Sequence, residues 1–212
     1  MIAVVCAVPA ERRALSGLAG DGLAIHVSGM GAAAAERTAA ELAAGDAPTA
    51  IISAGFCGAL ADDLRVGDLV AAEAVLDERS GDRFAADPRL LDAAPGRRGV
   101  MVSAERIART PADRARLDGL AVDLESAALA RVAAAAGIPF LALRAVTDER
   151  RHRLPDFDRI MDAAGRLTPG AGLLHFVLHP REVPALLRLG PAARKAGQSL
   201  RQGIERLVEA LR

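Results

Sequence analysis

The 212-residue chain is long enough to bury the core of one α/β domain, and we expect a single domain over residues 1–212. Its 27 basic and 27 acidic residues cancel and aromatic residues make up only 2%, so it lacks both the basic surface and the stacking side chains of a nucleic-acid-binding protein. It contains no run of eighteen apolar residues that could cross a membrane. Cys6 and Cys57 have no metal-ligand spacing, and we expect reduced thiols in a cytoplasmic protein without metal or cofactor.

The first quarter of the chain alternates apolar runs with helix-forming segments. Residues 2–8 are typical of a buried parallel strand and lack the basic residues that begin a signal peptide. Pro9 then suits the first turn of a helix. Residues 23–28 predict a second strand, after which the turn Gly29-Met30-Gly31 opens an alanine-rich helix to about Ala44.

The middle of the chain predicts short elements between polar segments. A third strand at residues 50–53 runs into a glycine-framed loop at residues 54–58. The elements expected next, in chain order, are a turn (64–70) that enters a fourth strand ending at Val75, a loop or weak hairpin (77–98), a short strand (99–103) and an irregular or helical segment (104–118).

A helix followed by a strand forms the most informative unit. Asp123 is a suitable N-cap, Glu125 would lie in the first helical turn, and Gly137 would end the helix. Residues 140–148 then predict a buried strand that is interrupted by Arg144. Because a buried charge is costly unless it is paired, Glu125, Arg144 and Asp148, which ends the strand, are candidates for catalysis.

The rest of the chain predicts a charged loop and then helices, ending in an amphipathic helix at about residues 182–212. Its apolar stripe consists of Leu200, Ile204, Leu207 and Leu211, with arginines beside it. A helix of this kind packs on its own domain or on a dimer mate, or it lies on a membrane surface. We expect packing more often than membrane contact, and the sequence leaves both open.

Strands that alternate with helices predict an α/β fold, namely a three-layer α/β/α sandwich around a central, largely parallel mixed sheet. Such sheets bind ligands at the carboxyl ends of their strands. Glu11, the segment Phe56-Cys57-Gly58 and Asp148 each follow an apolar run. We therefore expect them on one rim, where they would form a small-molecule site.

Three other local patterns carry weaker signals. Gly29-Met-Gly31-Ala-Ala-Ala34 has the shape of a dinucleotide fingerprint, but no acid ends the next strand, so a tight turn is the better interpretation. Cys57 suggests a nucleophile, but no histidine has an obvious partnering position, which favours a buried inert thiol. The four histidines show no metal spacing: His26, His152, His175 and His179.

Several motifs together resemble the nucleoside phosphorylase and nucleosidase superfamily, particularly its methylthioadenosine/S-adenosylhomocysteine nucleosidases. They are Ala7-Val-Pro-Ala-Glu11, Ser28-Gly-Met-Gly31, Ser53-Ala-Gly-Phe-Cys-Gly-Ala-Leu60 with Val66-Gly-Asp68, Val102-Ser-Ala-Glu-Arg-Ile-Ala108, Val122-Asp-Leu-Glu125 and Arg144-Ala-Val-Thr-Asp148. The number and order of these motifs, over about residues 1–150, make the resemblance specific. Residues 147–155 and 179–188 resemble the hopanoid-biosynthesis-associated branch, which is implicated in removing adenine from adenosylhopane.

The resemblance implies hydrolysis of the N-glycosidic bond of a 5′-substituted adenosine. By their places in the motifs, Asp148 would protonate the leaving base, Glu125 would hold the ribose hydroxyls and stabilise the cationic sugar, and Glu11 would activate water. The expected substrate-binding and positioning residues are Phe56, Cys57, Gly58, Ser103, Ile107, Ala108, Leu124, Arg144 and Thr147. The family's habit of completing its site from a partner subunit implies a homodimer.

Departures from the family's pattern concern the substrate more than the reaction. Leu124 stands where the family has methionine, and Ile107 stands where an aromatic residue often stacks on adenine. Phe56 replaces a small residue, and Asp123 replaces a glutamate. These changes would suit a more apolar ligand.

Two other functions stay open from the sequence. One is a phosphorylase, in which Arg12, Arg13 or Arg150 would hold phosphate. An acid at Glu11 disfavours an anionic nucleophile, which favours water instead. The other is a nucleoside-binding module without catalytic activity.

Overall fold

Helices and strands alternate along the chain in the computed structural model, which describes residues 1–20, 22–45, 48–157 and 183–212. Within these ranges the strands are β1 (Ile2–Cys6), β2 (Leu23–Val27), β3 (Ala50–Ala59), β4 (Leu69–Asp77), β5 (Arg83–Ala85), β6 (Arg97–Ser103), β7 (Ala121–Asp123) and β8 (Phe140–Asp148). The helices are α1 (Pro9–Ala14), α2 (Ala32–Ala44), α3 (Pro88–Ala93), α4 (Pro111–Arg114), α5 (Ser126–Ala136) and α6 (Val183–Ala210).

One mixed sheet connects the strands in the order β2-β1-β3-β7-β6-β4-β5, and β8 pairs with both β3 and β4. Five of these pairings are parallel and three antiparallel. Because β3 bonds to both β7 and β8, the strands β3, β8, β4, β6 and β7 pair in a closed ring. The register sets Gly58 of β3 opposite Val122 of β7 and Asp148 of β8, so the ends of these strands meet at one place.

Helices cover the sheet on both sides, and each side has its own apolar cluster. On one side, alanines of α2 and α5, such as Ala35 and Ala128, pack against sheet residues that include Ile51. On the other side, Leu15 and Leu200 pack in a second cluster with residues of α3 and the sheet. Small side chains let α2 and α5 approach each other and the sheet closely. The predicted three-layer α/β fold with a central mixed sheet is confirmed.

Several local predictions are also confirmed by the backbone. Pro9 lies in the first turn of α1. Gly137 ends α5 in the left-handed conformation, with φ 66°. Gly29 and Gly31 have φ of 90° and 86°, which supports the tight turn rather than a dinucleotide fingerprint as the reason for these glycines.

The glycine-framed loop expected at residues 54–58 is wrong, because β3 continues to Ala59 and pairs with β8 over this stretch. Glycine usually weakens a strand, but here it leaves room for functional groups. A Cβ atom at Gly55 would overlap the guanidinium of Arg144 and the carboxylate of Glu11. At Gly58 it would lie 3.0 Å from Oδ2 of Asp148.

Two further local predictions need correction. Asp123 ends β7, which pairs in parallel with β6, and Glu125 is the N-cap of α5. The carboxylate of Asp123 still accepts the N–H of Ser126, the first residue of α5, at 3.3 Å. Residues 77–98 contain the predicted hairpin, as β5 pairs with β4, and also the helix α3, which was not predicted. Asp87 caps α3 by accepting hydrogen bonds from Arg89 N and Leu90 N.

The C-terminal helix α6 packs on its own domain. Leu200, Ile204 and Leu207 are at most 1% exposed and belong to the second apolar cluster, so the predicted stripe faces the core and not a lipid surface. Among the described residues, no helix combines the length and the hydropathy needed to span a bilayer. The helices expected between residues 158 and 182 lie outside the described residues.

Candidate active site

A cavity of about 310 Å³ lies where β3, β7 and β8 end, between α1, α6 and the segment that follows β6. Ten of the sequence-predicted site residues line it, namely Glu11, Phe56, Cys57, Gly58, Ile107, Ala108, Leu124, Glu125, Thr147 and Asp148. Arg144 and Ser103 are not in its lining. They lie beneath it and contact the acids, as described below. The sheet thus brings the three predicted catalytic acids to one cavity.

Glu11 lies in the first turn of α1 and is 3% exposed. Its Oε2 accepts hydrogen bonds from the backbone N–H groups of Ala7 at 2.7 Å and Val8 at 3.0 Å, and its Oε1 accepts one from Phe56 N at 2.7 Å. Burial raises the pKa of Glu11, while Arg144 and the three N–H groups oppose the rise. The carboxylate is therefore fixed in orientation at the wall of the cavity.

Arg144 is the buried cation beneath the cavity and is 1% exposed. Its Nη2 lies 2.6 Å from Oδ2 of Asp123 and 3.7 Å from Oε2 of Glu125, and donates to Ser53 Oγ at 2.8 Å. Ser103 contributes indirectly, since its hydroxyl donates to Oδ1 of Asp123 at 2.8 Å. Arg144 and Ser103 therefore hold the acids in place from below.

Glu125 begins α5 and is 6% exposed. The backbone N–H of Gly31 donates to its Oε1 at 2.9 Å, which explains why the turn before α2 lies at the site. Burial raises the pKa of Glu125 to about 7; Arg144 opposes this rise and Asp123 adds to it. Glu125 therefore changes its charge near neutral pH.

Asp148 ends β8 and is 6% exposed. Its Oδ1 accepts a hydrogen bond from the hydroxyl of Thr147 at 2.8 Å, and its Oδ2 is paired with the guanidinium of Arg114. Burial raises the pKa of Asp148, and the charge of Arg114 opposes the rise.

Arg114 was not among the sequence-based candidates. The only signal was the capping-box pattern of Thr110 and Asp113, which marks the short helix α4 that ends at Arg114. That pattern says nothing about burial of the arginine, so Arg114 could be found only in the structure.

Cys57 is buried, as the sequence predicted, and lies within the cavity wall. Burial raises the pKa of its thiol well above the ordinary value, which keeps it protonated and unreactive at neutral pH. Among the described residues, no group of three or more His, Cys, Asp or Glu side chains could hold a metal ion.

Apolar side chains form much of the remaining wall. Phe56, Ile107 and Leu124 were predicted, while Met30 and Leu189 are additions from the structure. Leu189 belongs to α6 and lies 53 residues after the end of α5 at Ala136 (189 − 136), and no local pattern indicated that it reaches the site. The wall suits a ligand with a large apolar surface.

The three arginines considered for phosphate binding lie elsewhere. Arg12 and Arg13 are exposed on α1. Arg150 pairs with Asp62, with 3.5 Å between its Nη1 and Oδ2 of Asp62. None of them lines the cavity. In the described part of the chain, the cation in the cavity wall is Arg114, which is already paired with Asp148.

Residues 3–169 match the family model of the phosphorylase superfamily. The chain belongs to the phosphorylase superfamily. This membership confirms the superfamily resemblance found in the sequence and the prediction of an enzyme.

Solved structures of low sequence identity share the fold. An S-adenosylhomocysteine nucleosidase from Streptococcus pyogenes in complex with 5-methylthiotubericidin is 20% identical, with a TM-score of 0.77 over 100% of this chain and 97% of that one. Futalosine hydrolase of Helicobacter pylori is 14% identical, with a TM-score of 0.74 over 98% of this chain and 97% of that one. The 5′-methylthioadenosine/S-adenosylhomocysteine nucleosidase from Neisseria meningitidis, in complex with methylthio-immucillin-A, is 18% identical. Its TM-score is 0.72 over 99% of this chain and 98% of that one.

Proposed function

We propose that this member of the phosphorylase superfamily is a nucleosidase that hydrolyses the N-glycosidic bond of a 5′-substituted adenosine and releases adenine. The observation that carries the proposal is that Glu11, Glu125 and Asp148 line one largely apolar cavity, each in a different hydrogen-bonding environment. Carboxyl groups in different environments can take different roles in one reaction. Nucleosidases among the solved structures of this fold support the same reaction class.

Asp148 would be the general acid. Adenine leaves as an anion unless a proton reaches it while the bond to the sugar breaks, and burial raises the pKa of Asp148 in the direction that a proton donor requires. Thr147 orients the carboxyl group through its hydroxyl.

Glu125 would bind the ribose hydroxyls and stabilise the positive charge that develops on the sugar. Its carboxylate is anchored by the N–H of Gly31, so little reorganisation is needed as the charge forms. Leu124, next to it in the chain, lines the same cavity and would pack against the sugar.

Glu11 would orient and deprotonate the attacking water. Its carboxylate is fixed by three backbone N–H groups, and desolvation makes it a stronger base than a solvated carboxylate. Water is favoured over phosphate, because Arg12, Arg13 and Arg150 lie outside the cavity and an anion beside Glu11 would be repelled. Phosphorolysis is the alternative.

We extend the proposal to a substrate with a bulky apolar 5′ substituent, and adenosylhopane is our candidate. Two observations support this extension: residues 147–155 and 179–188 resemble the hopanoid-associated branch, and the cavity wall carries Phe56, Ile107 and Leu189. The homodimer, the cytoplasmic location and a peripheral membrane contact stay predictions from the sequence. A membrane contact would need residues outside the buried stripe, such as Leu187, which is 70% exposed.

The proposal is tested by incubating the protein with 5′-methylthioadenosine, with and without phosphate, and measuring free adenine by chromatography. We expect equal adenine release in both conditions, and a loss of about 10²–10⁴-fold in kcat for Asp148→Asn, the range for a general acid.

Asp77→Asn is the matched control, because Asp77 also ends a strand and pairs with an arginine, Arg131, but lies outside the cavity. It should retain wild-type kcat. Release that depends strictly on phosphate would establish a phosphorylase instead, and nucleoside binding without adenine release would establish a binding module.

A further inference from the structure

Arg114 forms a buried ion pair with Asp148, the proposed proton donor. Its side chain is fully buried, and its Nη2 pairs with Oδ2 of Asp148. Two backbone carbonyls fix the guanidinium, since Nε donates to Ala108 O at 3.0 Å and Nη1 donates to Glu149 O at 2.5 Å. The cation is thus held rigidly against the carboxyl group to which the proposed function assigns proton transfer.

The two oxygens of Asp148 are engaged by different donors. Thr147 donates to Oδ1, and Arg114 donates to Oδ2. Both contacts stabilise the ionised carboxylate, whereas burial stabilises the protonated form. Arg114 and burial therefore act on Asp148 in opposite directions.

We propose that Arg114 is a positioning residue that orients Asp148 and stabilises the carboxylate that Asp148 becomes on giving up its proton; this inference rests on the proposed nucleosidase function. In that step the O–H bond of Asp148 breaks and an N–H bond forms at N7 of adenine. The electron pair of the bond between the sugar and N9 goes to the base, and the negative charge left on Asp148 faces Arg114. Arg114 thereby makes the buried Asp148 a stronger acid.

The construction of α4 fits this role. Thr110 and Asp113 form a capping box, and Pro111 begins the helix, so local interactions help to stabilise this four-residue helix. Its last residue, Arg114, lines the cavity, whereas Arg116, two residues on, has a side chain that is 78% exposed.

Other titratable and basic groups lie near Asp148. Cys57 on β3 and His152 after β8 interact with it electrostatically. A second cavity shares Asp148 in its wall and is also lined by basic side chains, namely His152, Arg153, Arg188 and Lys195. Among the described residues, the ion pair of the Asp148 carboxylate is with Arg114, not with these basic side chains.

The test compares Arg114→Met, Arg114→Gln and Arg114→Lys with the wild type, using 5′-methylthioadenosine and kcat measured from pH 5 to 10. For Met and Gln we expect kcat at neutral pH to fall on the order of tenfold. This loss is smaller than the loss of about 10²–10⁴-fold expected when the general acid itself is removed. The pH at which kcat declines on the alkaline side should rise by about one unit or more, because an adjacent opposite charge lowers a carboxyl pKa by about that much. Lys should keep the wild-type alkaline limb.

Arg116→Met is the control for loss of a nearby arginine and should match the wild type. Circular dichroism and thermal unfolding identify any variant that does not fold, and Arg114→Gln keeps the test decisive if Arg114→Met fails. If the pH at which kcat declines on the alkaline side is unchanged in a folded Arg114→Met or Arg114→Gln enzyme, the proposed role of Arg114 is wrong, while the proposed nucleosidase function still stands. Absence of adenine release by the wild type would overturn the proposed function as well.

Discussion

At the scale of residues, one buried guanidinium interacts electrostatically with three acidic side chains. Arg144 lies 2.6 Å from Asp123 and 3.7 Å from Glu125, and its charge also acts on Glu11. Its Nε and Nη1 have no hydrogen-bond partner among the described residues. Burial raises the pKa of Glu125 to about 7 and also raises the pKa of Glu11, and Arg144 opposes both rises. Glu11 and Glu125 therefore ionise as a coupled pair.

The pH dependence of activity follows from this ionisation. A carboxyl group with a raised pKa is neutral below that pKa and anionic above it, and Glu125 must be anionic to stabilise a cationic sugar. We therefore expect kcat/KM for 5′-methylthioadenosine to rise with pH through about 7 in the wild type. Glu125→Gln should lower kcat by on the order of 10²-fold and remove this acid limb. An unchanged acid limb in the variant would assign it to another group, such as Glu11.

At the scale of elements, β3 shows why glycine occurs inside a strand. Gly55 and Gly58 keep their hydrogen bonds to β8, but the missing side chains leave space for Glu11, Arg144 and Asp148. The strand thus supplies both sheet pairing and the floor of the site.

Gly55→Ala should consequently damage the site more than the fold. The added methyl group would overlap the carboxylate of Glu11 and the guanidinium of Arg144, both of which are fixed by burial. We expect kcat to fall by on the order of 10²-fold, because a displacement of about 1 Å in a catalytic group costs about that much. Gly20→Ala is the control and should keep full activity, since no atom of the described residues, apart from its chain neighbours, lies within 4 Å of its added Cβ. Equal activity in the two variants would contradict this explanation of Gly55.

At the scale of the whole molecule, α6 closes the second apolar cluster and also reaches the cavity. Leu200 and Leu207 are fully buried against the sheet and α1, while Leu189 and Ala193 line the cavity. Folding of the C-terminal helix and completion of the site are therefore coupled.

Two leucines of this helix provide a matched stability test. Leu200→Ala removes a side chain with 0% exposure and should lower the free energy of unfolding by about 2–5 kcal/mol. Leu187→Ala, at a position that is 70% exposed, should change it by less than about 0.5 kcal/mol. Urea unfolding followed by circular dichroism measures both. Similar values for the two variants would show that the stripe does not pack as described.

The fold was predictable to the extent that each element has a local cause. Apolar runs indicated β1, β2 and β8, and Pro9 and Gly137 marked where helices begin and end. Strand pairing depends on distant residues, which is why β3 was predicted too short and why β7, where Asp123 lies, was mistaken for a helix start.

The sequence by itself determined that Glu11 and Asp148 follow apolar runs, and the α/β connectivity brings such positions to one rim. The family motif added Glu125, whereas Asp123, which also lines the cavity, was expected as a helix cap. Arg144 was a candidate from the sequence, but only the tertiary structure decided where it lies and that Arg114 accompanies it. Arg144 lies beneath the cavity rather than in its wall. Arg114 belongs to a short helix and lies 34 residues before Asp148 in the chain. The reason is physical: an arginine is buried only where partners from other elements neutralise and bind it, and those partners are set by packing and not by the neighbouring sequence.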